Sequence, residues 1–267
     1  ISIVTPSYNQ AAYLEGTLRS VLEQDYPKLE FIVIDGGSTD GSIEIIRKYA
    51  KHLSYWVSEP DRGQSHAINK GLSRSTGEIW AWVNSDDRLL PGALERVAEA
   101  WAVAKPDNVA WVGGCRRVLA DGVLLNEVWP KNLMVEEVAD WLVNNFYQPA
   151  VFMRRSAVEQ AMGLDEKLDY CMDLHLWIKL ARLGRLQSVP HLLAEATIQA
   201  DAKTQAGRPE AMAETGVLLT EEGYPEQAKQ YLAAHLRRAM TKAAQAHHPS
   251  LAGRIREALR RVKRRVC

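Results

Sequence analysis

The sequence predicts an α/β fold with a mostly parallel sheet that carries helices on both faces. Short apolar runs alternate with helical stretches over the first hundred residues, and a polar cluster follows each apolar run. The composition, 46% hydrophobic and 25% charged over 267 residues, is ordinary for a globular protein. Strands that alternate with helices favour a parallel sheet covered on both sides.

The first half of the chain supplies four predicted strands and four predicted helices. The strands are Ile1–Thr5, Phe31–Ile34, Tyr55–Val57 and Ile79–Val83. The helices are Gln10–Gln24, Ser42–Ala50, Ser65–Leu72 and one that starts near Pro91. Proline is accepted early in a helix because its missing N–H would have no partner there.

The second half is predicted to be more mixed. Its predicted elements are strands across Val109–Trp129 with a turn at Asp121-Gly122, a helix at Met134–Val143, a strand at Ala150–Met153 and a helix at Cys171–Leu183. The stretch Asp201–Pro209 is polar, and Glu210–Val266 has helical character with breaks at Pro225 and Pro249. We therefore divide the chain into a domain of residues 1–204 and a C-terminal helical extension of residues 205–267.

Charge is distributed unevenly, although 33 basic residues balance 33 acidic ones. The stretch Arg237–Cys267 contains ten basic residues and one acidic residue, Glu257. The tail is therefore basic, and the rest of the chain carries a net negative charge. Leu251, Ile255 and Leu259 have helical spacing within this tail. The tail either contacts an anionic membrane or packs on the body, and both interpretations stay open. Nucleic acid is not an expected partner, because the tail has no aromatic residues for stacking.

The expected compartment is the cytoplasm. If the basic tail contacts a membrane, the protein is expected to lie at the inner face of that membrane. Cys115, Cys171 and Cys267 are odd in number and widely spaced, which favours free thiols in a reducing environment. No apolar run reaches the roughly 18 residues that a membrane-spanning helix needs.

Polar residues follow all four predicted strands of the first half. They are Ser7-Tyr8-Asn9, Asp35-Gly36-Gly37, Glu59-Pro60-Asp61 and Asn84-Ser85-Asp86-Asp87. In open parallel sheets ligands bind beyond the carboxyl ends of the strands. The four clusters are therefore predicted to converge on one site.

Two of these clusters suggest a bound metal and a phosphate. Adjacent carboxylates such as Asp86 and Asp87 repel each other unless a cation neutralises them, and Mg²⁺ or Mn²⁺ prefers oxygen ligands. The alternative is that they cap the following helix. The glycine-rich stretch Asp35–Ser42 can hold a phosphate through backbone N–H groups, or it can be a plain turn before a helix.

Several ordered segments resemble one known family. The segments are Ile3–Asn9, Ser20–Gln24, Asp35–Ser42, Glu59–Gln64, Ala67–Gly71, Gly77-Glu78, Asn84–Asp87, Gln148–Gly163 and Cys171–Trp177. Together they resemble the inverting family 2 glycosyltransferases of bacterial polysaccharide synthesis. The resemblance extends from Ile1 to about Thr204. It implies the GT-A fold, whose sheet is Rossmann-like, followed here by the C-terminal helical extension.

The resemblance also implies roles for individual residues. It places the catalytic base on Asp173 and the metal, Mn²⁺ or Mg²⁺, on Asp86 and Asp87. It places donor binding on Pro6, Tyr8, Asn9, Asp35, Asp61, Gly63, Asn69, Asn84, Asp86 and Lys203. Within this set, Asp35 corresponds to an aspartate that contacts the nucleotide base. The alternative for Asp173 is that it only caps the helix that follows.

The sequence departs from the family pattern at three positions. Asn84 stands where an aspartate is commoner, and His175 stands where an acidic residue is frequent. Gln199 replaces a histidine in a stretch that ends with Lys203 and Thr204. His175 either touches the acceptor or lies on a helix face. Trp177 either lines the acceptor pocket or belongs to the core.

The expected function is transfer of a sugar from a nucleotide-diphospho-sugar, a UDP-sugar first, to an acceptor hydroxyl with inversion. The acceptor is expected to be a saccharide, a lipid-linked molecule or a protein in surface polysaccharide or glycoconjugate synthesis. A second hypothesis is a catalytically silent nucleotide-sugar-binding or scaffold protein. A nucleotidyltransferase ranks third, because it would need a basic loop after the first strand and Ser7–Gln10 has no basic residue.

Overall fold

A computed structural model of the chain describes residues 1–131, 133–144, 146–199 and 208–245. Its strands are β1 (Ser2–Ser7), β2 (Glu30–Asp35), β3 (Tyr55–Ser58), β4 (Ile79–Trp82), β5 (Arg88–Leu89), β6 (Asn108–Leu119), β7 (Leu124–Val128), β8 (Val151–Arg154) and β9 (Arg185–Ile198). Its helices are α1 (Ala11–Leu22), α2 (Ser42–Tyr49), α3 (Gln64–Arg74), α4 (Ala93–Ala102), α5 (Val135–Ala139), α6 (Arg155–Gln160), α7 (Met172–Leu183), α8 (Arg208–Glu221) and α9 (Pro225–Gln245).

The strands form one nine-stranded sheet in the order β3-β2-β1-β4-β8-β6-β9-β5, with β7 paired to β6. The pairs β3–β2, β2–β1 and β1–β4 are parallel, as the alternation of strands and helices predicts. Beyond β4 the sheet is mixed. The pairs β4–β8 and β8–β6 are antiparallel, whereas the pair β6–β9 is parallel. The predicted parallel arrangement is therefore confirmed for β1 to β4, the strands whose ends carry the polar clusters.

Both faces of the sheet are buried, because successive side chains of a strand point to opposite sides. On one face Val4 and Ile32 pack in a cluster that includes residues of α3 and α7. On the other face Ile3 and Phe31 pack in a cluster that includes residues of α1, α2 and α4. The predicted layering of helices on both sides of the sheet is confirmed.

Several boundaries differ from the sequence prediction. The helix near Pro91 begins at Ala93, because Gly92 adopts a left-handed turn with φ +77°. The helix predicted at Met134–Val143 is limited to α5. Strands β5 and β9 were not predicted, and β9 is the longest strand among the described residues. The predicted turn at Asp121-Gly122 is confirmed, with φ +87° at Gly122.

The C-terminal helices α8 and α9 pack on the body of the protein. Leu218, Leu219 and Ala228 are buried in the same cluster as Trp177 of α7. The break predicted at Pro225 is confirmed, since α9 begins there. The boundary at residue 204, the break at Pro249 and most of the basic tail fall outside the described residues. Within the described part of the chain, no helix is long and apolar enough to cross a membrane.

Candidate active site

A cavity of about 1020 Å³ lies at the carboxyl ends of the parallel strands. The ends of β1 and β4 and the segments after β2 and β3 line one side, so the predicted convergence of four strand ends is observed. The end of β9, the start of α7 and the segment around Tyr147 and Gln148 complete the wall. This is the position at which open α/β sheets bind their ligands.

The described wall of the cavity is acidic. Its ionisable carboxylates are Asp61, Asp86, Asp87, Asp169 and Asp173, and none of the described lining residues is lysine, arginine or histidine. Carboxylates that share a cavity raise one another's pKa values and repel an anionic ligand. The described part of this wall therefore offers no positively charged side chain to an anion such as a diphosphate.

Asp86 and Asp87 follow β4 and are held by Thr197 of β9 and by Gln199 directly after that strand. The Thr197 N–H donates to Oδ1 of Asp87 at 3.1 Å, and the Gln199 amide donates to Oδ2 of Asp86 at 2.8 Å. Burial and the neighbouring charge of Asp86 raise the pKa of Asp87 well above its ordinary value. Burial also raises the pKa of Asp86. The structure thus keeps two carboxylates side by side in a place that disfavours their charge.

Asn84 connects this acidic pair to the rest of the wall. Its Nδ2 donates to Oδ2 of Asp87 and to Oε1 of Gln148, both at 3.1 Å. Its Oδ1 accepts from Nε2 of Gln64 at 2.8 Å. An ionised aspartate has no proton to donate, so it could make neither of the two donated bonds. The departure from Asp to Asn at this position therefore has a structural reason.

Asp173 lies in the first turn of α7 and lines the cavity. Burial raises the pKa of its carboxyl to about 6, with a smaller contribution from the negative charge of Glu214. The Leu174 N–H donates to Oδ1 of Asp173 at 2.7 Å and works in the opposite direction. A carboxylate with a pKa near 6 is ionised at neutral pH and is a stronger base than an ordinary aspartate.

Among the predicted donor-binding residues, Pro6, Tyr8, Asp61 and Gly63 line the cavity together with Asn84. Tyr8 is 63% exposed, so its ring is available at the rim. The Asp61 carboxylate accepts from the Gly63 N–H at 2.8 Å, and it lies against Gly36, where a Cβ would come within 2.7 Å of Oδ2 of Asp61.

Asp35 is not on the cavity wall, and its contact with the nucleotide base stays a prediction. It is fully buried, and its carboxylate accepts from the N–H groups of Gly37 and Ser38 and from the hydroxyls of Ser38 and Ser58. The side chain therefore shapes the loop after β2 in this structure.

Two other predicted donor residues are also engaged elsewhere. The Asn9 amide oxygen accepts from the Thr39 N–H at 2.8 Å. The Asn69 side chain both donates to and accepts from the backbone of Leu164. Neither asparagine lines the cavity. Lys203 lies outside the described residues.

The predicted acceptor-side residues do not reach the cavity either. Trp177 is fully buried and stacks on Trp82 with ring centroids 5.5 Å apart, so the core alternative is the one observed. Nε2 of His175 lies 3.2 Å from Oε1 of Glu222, at the end of α8. His175 therefore lies on the helix face toward the C-terminal extension.

Sequence reasoning missed some residues of this site. Gln148 joins Asn84 to the Trp82 carbonyl, and Thr197 holds both acidic residues from β9. Tyr147 and Asp169 also line the cavity. No local pattern singles them out, because their positions depend on β9 and on the segments before β8 and α7.

Comparison with known proteins identifies relatives in sequence. The profile of the family described as Glycosyl transferase family 2 matches residues 2–160. TuaG of Bacillus subtilis, described as a candidate teichuronic acid biosynthesis glycosyltransferase, is 39% identical over 104 residues, 37% of this chain and 40% of TuaG. An uncharacterized glycosyltransferase of Rickettsia typhi is 28% identical over 211 residues, 76% of this chain and 65% of that protein. The chain thus spans less than two thirds of the length of these relatives.

Solved structures share the fold at low sequence identity. S. aureus TarS in complex with UDP-GlcNAc has a TM-score of 0.64 and 18% identity, with 92% of this chain and 74% of that chain covered. The mannosyltransferase PcManGT from Pyrobaculum calidifontis, in complex with GDP-Man and Mn²⁺, has a TM-score of 0.65 and 21% identity, with 97% and 79% covered. The fold is the GT-A fold of glycosyltransferases.

The role of Asn84 gives a test of the acidic pair. We expect Asn84→Asp to lower the free energy of unfolding by about 1–3 kcal/mol at pH 7.5 in EDTA, because it removes two hydrogen bonds and adds a carboxylate beside Asp87. Burial and Asp87 raise the pKa of the new carboxyl, so the loss shrinks as the pH falls and the group is protonated. Urea unfolding at pH 7.5 and pH 5.5 measures both effects.

The matched control for this variant is Asn126→Asp. Asn126 lies on exposed β7 and accepts from Arg117 at 3.1 Å. A new charge there should change the stability by no more than about 0.5 kcal/mol. An Asn84→Asp protein as stable as the wild type in EDTA would contradict the electrostatic reading of the site.

Proposed function

The chain belongs to glycosyl transferase family 2, and from this premise we propose that it transfers a sugar from a nucleotide-diphospho-sugar to an acceptor hydroxyl with inversion. The observation that supports the proposal is the acidic cavity at the carboxyl ends of β1 and β4, which is lined by Asp86 and Asp87 after β4 and by Asp173 in the first turn of α7. Such a transfer needs stabilisation of the diphosphate leaving group, which a metal ion can supply, and a base for the acceptor hydroxyl.

A divalent cation fits the chemistry of the acidic pair. Mg²⁺ and Mn²⁺ take oxygen ligands, and Mg²⁺ sites commonly combine one or two carboxylates with substrate phosphates. Asp86 would contribute the first carboxylate, with Asp87 behind it, and burial raises the pKa of both carboxyls. When bound, the cation would neutralise the diphosphate and stabilise the charge that builds on this leaving group.

Asp173 is proposed as the general base. Its carboxylate would take the proton of the acceptor hydroxyl while that oxygen forms a bond to the anomeric carbon. The bond from the anomeric carbon to the diphosphate breaks in the same step, and the electron pair leaves with the nucleoside diphosphate. Attack opposite to the leaving group inverts the configuration of that carbon. The raised pKa of Asp173 favours proton transfer near neutral pH.

The nucleotide of the donor would bind along the ends of β1 and β3. Tyr8 offers an exposed ring at the rim for stacking on the base, with Pro6, Asp61 and Gly63 close by. Asp35 would act indirectly, through the loop that it holds. UDP is the first choice for the nucleotide, since TarS was crystallised with UDP-GlcNAc. GDP is the alternative, since PcManGT was crystallised with GDP-Man.

The acceptor is proposed to be a saccharide, a lipid-linked molecule or a protein in surface polysaccharide or glycoconjugate synthesis. TuaG, the relative named for teichuronic acid synthesis, supports the polysaccharide class. A cytoplasmic location at the inner face of the membrane would fit such an acceptor. Contact of the basic tail with anionic lipids stays a prediction, since residues 246–267 lie outside the described part of the chain.

The proposed metal site predicts that nucleotide binding depends on a divalent cation. With saturating Mn²⁺ and UDP at a hundred times its Kd, the free energy of unfolding should rise by about 2.7 kcal/mol. Asp86→Asn should lose most of this gain, because the cation no longer links the wall to the diphosphate. Thermal shift and calorimetry with UDP, in Mn²⁺ and in EDTA, measure the effect.

Asp107→Asn is the control for this experiment. Asp107 is exposed before β6, and the same change of charge there should leave the UDP response intact. Equal stabilisation by UDP in EDTA and in Mn²⁺ would rule out the proposed metal contact.

The proposed base predicts a loss of turnover that is separate from any loss of nucleotide binding. Asp173→Asn should lower kcat for sugar transfer by about 10²–10⁴-fold, the range of general acid–base catalysis, while the Kd for UDP stays at its wild-type value. In the wild type, kcat should fall as the pH drops through about 6, because protonation removes the basic form of Asp173. Steady-state assays with a panel of UDP-sugars measure both, and a normal kcat in Asp173→Asn would refute the assignment.

A further inference from the structure

The side chain of Glu214 on α8 holds the short segment that precedes the proposed base. Oε1 of Glu214 accepts from the N–H groups of Tyr170 and Cys171 at 2.6 and 2.9 Å, and Oε2 accepts from the Asp169 N–H at 2.9 Å. Burial alone would raise the pKa of Glu214, but these backbone hydrogen bonds lower it. The carboxylate is therefore held in its charged form by three amides of one short segment.

These amides immediately precede α7. The first N–H groups of a helix and of the residues before it have no partner within the helix, so a carboxylate at this end stabilises the segment. Cys171 is the N-cap of α7, and no side chain of its own caps the helix. Glu214, which lies 43 positions after Cys171, supplies the cap instead. Asp173 lies two residues beyond the amides that Glu214 holds.

The helix α8 is itself anchored against α7 and the core. Leu218 and Leu219 are buried in the same cluster as Trp177. At the end of α8, Glu222 receives hydrogen bonds from Arg182, one of them to its backbone oxygen at 2.7 Å, and also contacts His175. The position of Glu214 is thus fixed relative to α7 at more than one place.

We infer that Glu214 is a positioning residue for sugar transfer, which holds the segment of residues 169–171 so that Asp173 points into the cavity. The inference rests on the proposed role of Asp173 as the base. Glu214 does not line the cavity, whereas Asp169, Tyr170 and Asp173 do, so its action passes through them. The C-terminal extension would then be part of the catalytic apparatus.

The charge of Glu214 adds an effect that can be measured separately. Its negative charge is one of the causes that raise the pKa of Asp173. Removal of this charge should lower the pKa of Asp173, and the acidic limb of the pH–kcat profile should move to lower pH. If Glu214 acted only in folding, its removal would lower the amount of active protein but would not change the pH of the acidic limb of the pH–kcat profile.

The experiment compares three variants in the full chain with saturating Mn²⁺. Glu214→Gln removes the charge and replaces an acceptor oxygen by a donor. Glu214→Asp keeps the charge but is one methylene shorter, so it cannot reach all three amides at once. Glu210→Gln, an exposed glutamate one turn earlier on α8, is the matched control. For each variant we measure the UDP Kd, kcat for transfer against pH, and Tm.

We expect kcat to fall about tenfold or more in Glu214→Gln and Glu214→Asp, in proportion to the misplacement of the base, while the UDP Kd is unchanged. The acidic limb should move to lower pH in Glu214→Gln and stay in place in Glu214→Asp. Glu210→Gln should match the wild type in all three measurements.

The outcomes separate this inference from the proposed function. If Asp173→Asn abolishes transfer while Glu214→Gln binds UDP and keeps the wild-type kcat and acidic limb, the inference alone is wrong. If both Glu214 variants lose UDP binding along with kcat, Glu214 supports the whole fold and the inference is again wrong. If Asp173→Asn keeps normal turnover, the proposed function itself fails.

Discussion

The site depends on how the protein holds two adjacent carboxylates in a buried position. Asp86 and Asp87 are next to each other at the end of β4, and the described wall around them has no basic side chain. Such an arrangement is unfavourable for the folded protein unless hydrogen bonds and a cation offset the repulsion. Asn84, Thr197 and Gln199 supply the hydrogen bonds, and the proposed metal would supply the charge.

The long strand β9 contributes to meeting this requirement, because Thr197 near its end donates hydrogen bonds to both acidic residues. It pairs with β6 from Arg185 to Ile198, and near its end the Thr197 N–H also donates to the Asp87 carboxylate. The same cavity is lined by Asp173 in the first turn of α7, and the residues just before α7 are held by Glu214 of α8. The proposed metal ligands and the proposed base therefore lie on different elements. In the proposed function the first pair would act on the leaving group and Asp173 on the attacking hydroxyl.

The sequence predicted the parts of the fold that depend on local patterns. The four parallel strands, their helices and the convergence of their polar ends follow from alternation alone. The strand β9 was missed because its pairing with β6 is non-local and Pro190 interrupts its pattern. For the site, Asp61, Asp86 and Asp173 line the cavity, and their roles stay predictions. Asp35 does not line it, because the loop after β2 folds onto its carboxylate. Contacts across the fold, such as that of Glu214 with residues 169–171, leave no local signature in the sequence.

The most direct test of the central claim is a crystal of the protein with UDP and Mn²⁺, measured at the manganese absorption edge. The account predicts one anomalous peak within about 2.5 Å of a carboxylate oxygen of Asp86 and of a diphosphate oxygen. Bound UDP with no manganese peak at the end of β4, or with its diphosphate away from Asp86, would contradict it.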